Sequence, residues 1–78
     1  MPRYYFNYRV GGILEQDPDG SELPDDESAL EEAKSAAREL LAAKVLKGDI
    51  VDGDVFEITT SSGEVVHTLP LRAVLKLV

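Results

Sequence analysis

Cysteine and tryptophan are absent from this 78-residue chain, and histidine and methionine occur once each. Without cysteine, the chain cannot form disulfides, use thiol chemistry or bind a metal through thiolates. Long apolar runs are also missing: no segment approaches the ~20 residues needed to cross a bilayer, and no basic start precedes an apolar stretch of the signal-peptide type. We therefore expect a cytoplasmic protein that does not enter a membrane.

Basic residues are few. The chain has 8 Lys and Arg against 15 Asp and Glu, which gives a net charge of −7. Residues 15–32 carry acids and no base, and no basic stripe forms elsewhere. This distribution opposes binding to phosphate backbones, so we expect no specific binding of nucleic acid.

The length fits one domain, residues 1–78, without internal repeats or linkers. A domain of this size buries only about 60 to 65 % of the surface that its unfolded chain exposes. Hydrophobic residues make up 44 % of the chain, which is enough for a core. Stability must therefore come from packing a helix on a sheet, or from a partner.

The first strand is predicted at residues 3–10, where aromatic and β-branched types dominate. Gly11-Gly12 is a typical two-residue hairpin turn, and residues 13–16 are predicted to return. Alternation gives the strand two faces. The inward face holds Tyr4, Phe6, Tyr8 and Val10, and the outward face holds Arg3, Tyr5, Asn7 and Arg9.

A turn and a long helix follow. Asp17-Pro18-Asp19-Gly20 is a turn by composition, and a helix is predicted from about Asp26 to Leu46, with Asp25 or Asp26 as its cap and Gly48 at its end. Apolar residues recur at helical spacing and predict the buried face: Leu30, Ala33, Ala37, Leu40 and Leu41, with Val45 as a further candidate.

A second hairpin is predicted from Val55–Thr60, the turn Ser61-Ser62-Gly63 and a return strand over residues 65–71. Phe56 and Ile58 should face inward. On the return strand, alternation places Val65, His67, Leu69 and Leu71 on one face, and Pro70 indicates an edge strand. We predict an α+β fold, a single small domain in ββαββ order, with a sheet of two hairpins and one long helix packed on one face.

Several motifs resemble a known family. The chain opens MPRYYFN, carries Asp17 and Gly20 in an acidic loop, reads Glu22-Leu23-Pro24-Asp25 before the helix, and contains Val55-Phe56-Glu57-Ile58 and Thr68-Leu69-Pro70-Leu71. Together they resemble a family of small bacterial proteins classed as a domain of unknown function, over nearly the whole chain. The resemblance supports the fold and supplies no activity, ligand or catalytic residue. Asn7 stands where family members typically have Asp, so we expect no essential carboxylate there.

A second resemblance is to small antitoxins that sequester RNA-cleaving toxins. It rests on Tyr4-Tyr5, the following loop and the helix text Ser28-Ala29-Leu30-Glu31-Glu32-Ala33. The Pro-Asp-Leu-x-Gly-Cys element that follows in those proteins is missing. The likeness is one of fold and motivates an RNA-associated module as an alternative function.

Candidate chemistry is sparse. His67 lies near hydroxyls at residues 59–62, but no orienting carboxylate or oxyanion hole is indicated, so we predict a partly exposed strand histidine. Asp17-x-Asp19-Gly20 and Asp49-x-x-Asp52-x-Asp54 could offer oxygens to Ca²⁺, yet neither has EF-hand spacing, and turns explain them. Tyr5 shares a face with two arginines, too little for a base-stacking platform. We assign no catalytic, cofactor-binding or metal residue and no cofactor.

The leading functional prediction is a non-enzymatic protein-interaction or regulatory module with an unknown protein partner. An antitoxin-like or RNA-associated module is the alternative, and a small hydrolase is third. Residues 72–78 are rich in apolar side chains at both strand and helix spacing, so either conformation is open. We predict a weak homodimer through this segment, lost when residues 73–78 are removed.

Overall fold

The computed structural model describes residues 1–49 and 53–74. The strands are β1 (Arg3–Val10), β2 (Ile13–Glu15), β3 (Ser21–Glu22), β4 (Val55–Thr60) and β5 (Val65–Pro70), with helix α1 (Asp26–Lys47) between β3 and β4. A short 3₁₀ helix, Leu71–Val74, follows β5. The predicted α+β fold is confirmed, with the two-residue strand β3 as an addition. Within the described residues, no helix has the length and apolar character that a membrane crossing needs.

One antiparallel sheet contains all the strands in the order β2-β1-β4-β5, and β3 pairs with β1 on the same side as β2. Strand β1 pairs with β4 from Tyr4↔Thr60 to Arg9↔Val55, so the two hairpins lie side by side. The edges are therefore β2 with β3 on one side and β5 on the other.

Both ends of α1 are fixed by the residues predicted to fix them. The Asp25 carboxylate accepts a hydrogen bond from the Ser28 amide at 2.8 Å and caps the N-terminus. Gly48 takes the left-handed conformation at φ +75°, and its N–H group donates to carbonyls of the last turn.

Alanines form the buried line of α1: Ala29, Ala33 and Ala37 are fully inaccessible to solvent. Because their side chains are small, the helix backbone lies close to the sheet and packs on Ile58 and Leu71, which are also fully buried. The predicted face is confirmed for Ala33, Ala37 and Leu41, which are buried, and for Leu40, which packs against the core. The buried line differs from the prediction at two positions. Ala29 belongs to it, whereas Leu30 is only half-buried and flanks it.

The predicted inward face of β1 is confirmed for Tyr4, Phe6 and Tyr8. Tyr4 is its most buried residue, at 3 % exposure, while Phe6 and Tyr8 are half-buried and pack against the core. Phe56 and Ile58 of β4 are buried as predicted.

A β-bulge changes the phase of β5. The pairing shifts between Ile58↔His67 and Thr59↔Val65, which inserts one extra residue into β5. Val65 is therefore 51 % exposed, and Val66 packs against the core. The predicted alternation fails for this pair and holds for Leu69 and Leu71.

The predicted return strand is one residue too long, since Leu71 begins the 3₁₀ helix. Val74 packs against the core. The remaining part of the apolar tail, residues 75–78, lies outside the described residues, as does the interval 50–52.

Candidate functional site

Asp17 occupies the gap between β2 and β3. Strand β1 turns the Phe6 amide toward this gap, where no strand residue faces it, and Asp17 Oδ2 accepts that N–H group at 3.2 Å. Asp17 Oδ1 accepts the amides of Asp19 and Gly20, each at 3.2 Å. The predicted turn is confirmed, and both carboxylate oxygens that could have bound Ca²⁺ already hold backbone groups.

These hydrogen bonds control the charge of Asp17. Burial acts to raise the pKa of Asp17, but the amides of Gly20, Phe6 and Asp19 outweigh it and lower the pKa below its ordinary 3.8. The carboxylate is therefore ionised at neutral pH and serves as a fixed acceptor for the loop.

Asn7 ties this loop to the centre of the sheet. Its Oδ1 accepts the Asp17 amide at 2.9 Å, and its Nδ2 donates to Thr59 Oγ1 at 3.3 Å. A shallow polar groove of about 260 Å³ lies above these groups. Because Asn7 and Asp17 are engaged with the protein itself, the groove floor is a structural network.

Gly20 completes the loop by a close approach to β1. At φ +71°, a Cβ atom at Gly20 would lie 2.9 Å from the Tyr4 carbonyl oxygen and 2.9 Å from Tyr5 Cε1. No other side chain fits this position without a shift of the strand.

The arginines beside Tyr5 are both paired. Arg9 Nε lies 2.6 Å from Glu57 Oε2. Arg3 binds Glu22 at 3.6 Å and donates to the Asp19 carbonyl at 2.8 Å. Both arginines on the outer face of the sheet are therefore paired with acids. RNA recognition requires exposed aromatic rings with free basic neighbours, and Arg3 and Arg9 do not provide such neighbours.

A second polar cluster lies on the face of the sheet that packs against α1. The sequence indicates Asp54 only as a candidate metal ligand and does not predict this cluster. Asp54 is 4 % exposed. Its Oδ2 accepts the Tyr8 hydroxyl at 2.6 Å and lies 3.2 Å from Lys44 Nζ. Burial, followed by the bond to Asp54, raises the pKa of Tyr8, and Asp54 raises the pKa of Lys44. The cluster joins β1 and α1 to the residue that directly precedes β4.

A third polar contact joins the start of α1 to β1. The Tyr4 hydroxyl donates to Asp26 Oδ1 at 2.6 Å. This bond, with burial and the nearby acids, raises the pKa of Tyr4 to about 12.

His67 is not part of a nucleophilic arrangement among the described residues. It is half-buried, and its Nε2 is buried without a hydrogen-bond partner. The neighbouring hydroxyls bond elsewhere: Thr60 Oγ1 pairs with Ser62 Oγ at 2.9 Å, and Thr59 Oγ1 with Asn7.

Residues 1–49 and 53–74, which the structure describes, contain no group of three or more histidines and acids that could hold a metal ion. Of the second acidic candidate, Asp49 is exposed and Asp54 is held in the buried cluster. Asp52 lies outside the described residues.

An apolar groove runs along the C-terminal half of α1. It encloses about 480 Å³ and is lined by Arg38, Leu41, Ala42, Val45 and Leu46. Leu46 is 88 % exposed and Val45 is 63 % exposed. The prediction that Val45 could belong to the buried face is therefore wrong, because Val45 is exposed and lines this groove. We call it the α1 groove.

The fold and these sites define a small α+β domain whose polar clusters serve its own structure and whose helix leaves apolar surface open. Residues 3–72 match the family model described as Domain of unknown function (DUF6894), so the chain belongs to this family. Neither a curated protein nor a solved structure matches the chain at a significant level.

Proposed function

We propose that this chain is a non-enzymatic protein-interaction module. The observation that carries the proposal is the α1 groove, where two large apolar side chains, Val45 and Leu46, lie mostly in solvent. Apolar side chains that are exposed next to one another in a contiguous patch, rather than singly, are typical of protein contact sites.

The charges around the groove indicate the chemistry of the partner. Arg38 lines the groove and Lys47 follows it, both exposed, in a protein whose net charge is −7. Lys44, by contrast, is held by Asp54. The groove is thus flanked by positive charges on a protein that is negative as a whole. A partner segment with apolar side chains and flanking carboxylates would complement it.

The absence of catalysis is part of the proposal. The polar side chains of the Asp17 loop and of the Asp54 cluster already have partners within the protein. In the part of the chain that is described, His67 bonds to no carboxylate, and its buried Nε2 has no hydrogen-bond partner. For the RNA-associated alternative, the paired arginines of the outer face give no support. The weak homodimer predicted from the C-terminal part of the chain remains part of the proposal.

The experiment compares the protein with Leu46→Glu and with the control Ala43→Glu, which adds the same charge at an exposed site in the same turn, away from the groove. Binding of 8-anilinonaphthalene-1-sulfonate, which combines apolar rings with an anion, should fall for Leu46→Glu and persist for the control. Cross-linked partners captured from a lysate should follow the same order. Equal dye binding and equal capture by all three proteins would refute the proposal.

A further inference from the structure

The short 3₁₀ helix after β5 lies at the end of α1 that carries the α1 groove. This helix, Leu71–Val74, packs against α1, and Val74 contacts the core. At its start, the Leu71 amide donates to the Asp54 carbonyl at 2.9 Å. The Asp54 side chain in turn lies 3.2 Å from Lys44 Nζ of α1. The 3₁₀ helix is therefore a neighbour of the C-terminal half of α1, where the groove is.

The hand of the chain connection decides which flank of α1 faces the 3₁₀ helix. Strands β3 and β4 lie on opposite sides of β1 and both pair antiparallel with it, so α1 joins two parallel strands of one sheet. Connections of this kind are right-handed. Because α1 is itself right-handed and β5 lies beyond β4, this hand turns the flank with Arg38 and Val45 toward β5 and the 3₁₀ helix. The groove therefore opens on the side where the chain leaves the 3₁₀ helix.

From this placement we infer that residues 75–78, which we call the tail, occupy the α1 groove of their own chain. Three of the four tail side chains are apolar: Leu75, Leu77 and Val78. Four extended residues reach about 13 Å, and groove residues 38–46 extend about 12 Å along the helix axis, so the tail is long enough to cover the groove. The inference rests on the groove of the proposed function and names its occupant when no partner is bound.

Attachment to the same chain favours the tail over a second copy. A segment joined by a short connection has a local concentration on the order of millimolar, far above a protein concentration of a few micromolar. A tail that leaves its own groove for that of a second copy forms the homodimer of the proposed function. That exchange therefore needs a much higher protein concentration.

The tail matches the groove in apolar character and opposes it in charge. Lys76 has the same sign as Arg38 in the groove and Lys47 beside it, and both of these groove cations are exposed. A partner segment with flanking carboxylates forms attractive pairs with them, which the tail does not. The tail is therefore a weak cover that such a partner displaces, and access to the groove is regulated by the chain itself.

Cysteine cross-linking tests the contact, since the chain has no cysteine of its own. Ala42 lines the groove, and Ala43, in the same turn, does not; both are exposed. The variants Ala42→Cys/Val78→Cys and Ala43→Cys/Val78→Cys keep both tail leucines. They are oxidised at about 5 μM, far below the local concentration of an attached segment. We expect the intramolecular disulfide to form at least about tenfold faster with Ala42→Cys, because a disulfide requires close Cβ atoms.

Binding of the same anionic dye gives a second measurement on the full chain. Leu75→Ser/Leu77→Ser should raise dye fluorescence about twofold, because it uncovers the groove. Addition of Leu46→Glu should reverse the increase. Val65→Ser, at a valine that is 51 % exposed on β5, is the matched control and should not raise the fluorescence.

Circular dichroism checks that each variant is folded, and the cross-linking comparison decides alone if the serine variant of the tail unfolds. Equal disulfide rates in the two cysteine pairs would overturn the inference. Disulfides that form only between two chains would also overturn it and would locate the tail in the groove of a second copy. Dye binding that ignores Leu46→Glu in the unaltered chain refutes the proposed contact site, and the disulfide rates are measured independently of it.

Discussion

Replacement of Asp54 by alanine should remove a large share of the protein's stability. Asp54 holds the Tyr8 hydroxyl at 2.6 Å and Lys44 Nζ at 3.2 Å, and its side chain is only 3 % exposed. A hydrogen bond to a charged group contributes about 1.5 to 3 kcal/mol. Lys44 is 19 % exposed and can turn to water, whereas the Tyr8 hydroxyl is left without its partner. We therefore expect Asp54→Ala to cost about 3 kcal/mol of a total near 4 to 12 kcal/mol for a domain of this size.

A double-mutant cycle with Tyr8→Phe tests the reasoning, with urea unfolding followed by circular dichroism. Tyr8→Phe alone should cost about 1 to 2 kcal/mol, but almost nothing once Asp54 is alanine, because the hydroxyl then has no partner to lose. As a reference, Glu57→Gln removes the partly exposed pair with Arg9 and should cost less than about 1 kcal/mol. Additive costs for Tyr8→Phe and Asp54→Ala, or a loss below about 1 kcal/mol for Asp54→Ala, would refute the cluster as a source of stability.

Three further predictions concern the loop and the core. Gly20→Ala should lower the free energy of unfolding, measured in urea, by roughly 2 to 3 kcal/mol, because of left-handed strain and a close contact with β1. Gly12→Ala, where the added Cβ atom meets open space, should lower it by about 1 kcal/mol. Equal losses would contradict the close approach of Gly20 to β1. The pKa of Asp17 is lower in the folded state, so its ionised form contributes to the free energy of unfolding above the unfolded-state pKa, and this contribution is lost as the pH falls through the folded-state pKa. The difference in urea midpoint between the protein and Asp17→Asn should therefore be largest above about pH 5 and shrink toward about pH 2. A difference that does not change with pH would contradict this prediction. Phe56→Ala should cost about 3 to 5 kcal/mol and Phe6→Ala clearly less, the reverse order being inconsistent with their burial.

The ends of α1 were predictable because their causes are local. Asp25 and Gly48 act on amides and carbonyls a few residues away, so the residue types alone indicate the caps. Asp17 was predictable as a turn residue for the same reason. Its bond to the Phe6 amide was not, because that contact depends on the gap between β2 and β3.

The buried line of α1 and the phase of β5 depend on contacts between distant segments. Leu30 carries a stronger apolar signal than Ala29, yet close packing on the sheet selects the smaller residue. Because of the bulge beside Thr59, Val66 rather than Val65 packs against the core. Two adjacent valines have the same side chain, so the sequence does not indicate which of them is buried. The cluster around Asp54 brings together residues that are 46 positions apart, beyond the reach of any periodic pattern.

The pairing of β1 with β4 also determines when the chain can fold. Asn7 and Thr59, which bond across the middle of the sheet, are 52 residues apart in the chain. During synthesis, β1 emerges with only the short β2 and β3 beside it, and its other edge has no strand partner until β4 follows the entire helix. Because the two strands are distant in the chain, folding cannot pass its transition state until both β1 and β4 are present. The nascent chain therefore leaves one edge of its most aromatic segment, MPRYYFNYRV, unpaired until β4 has been made, and in this interval a chaperone or a premature contact has access to it.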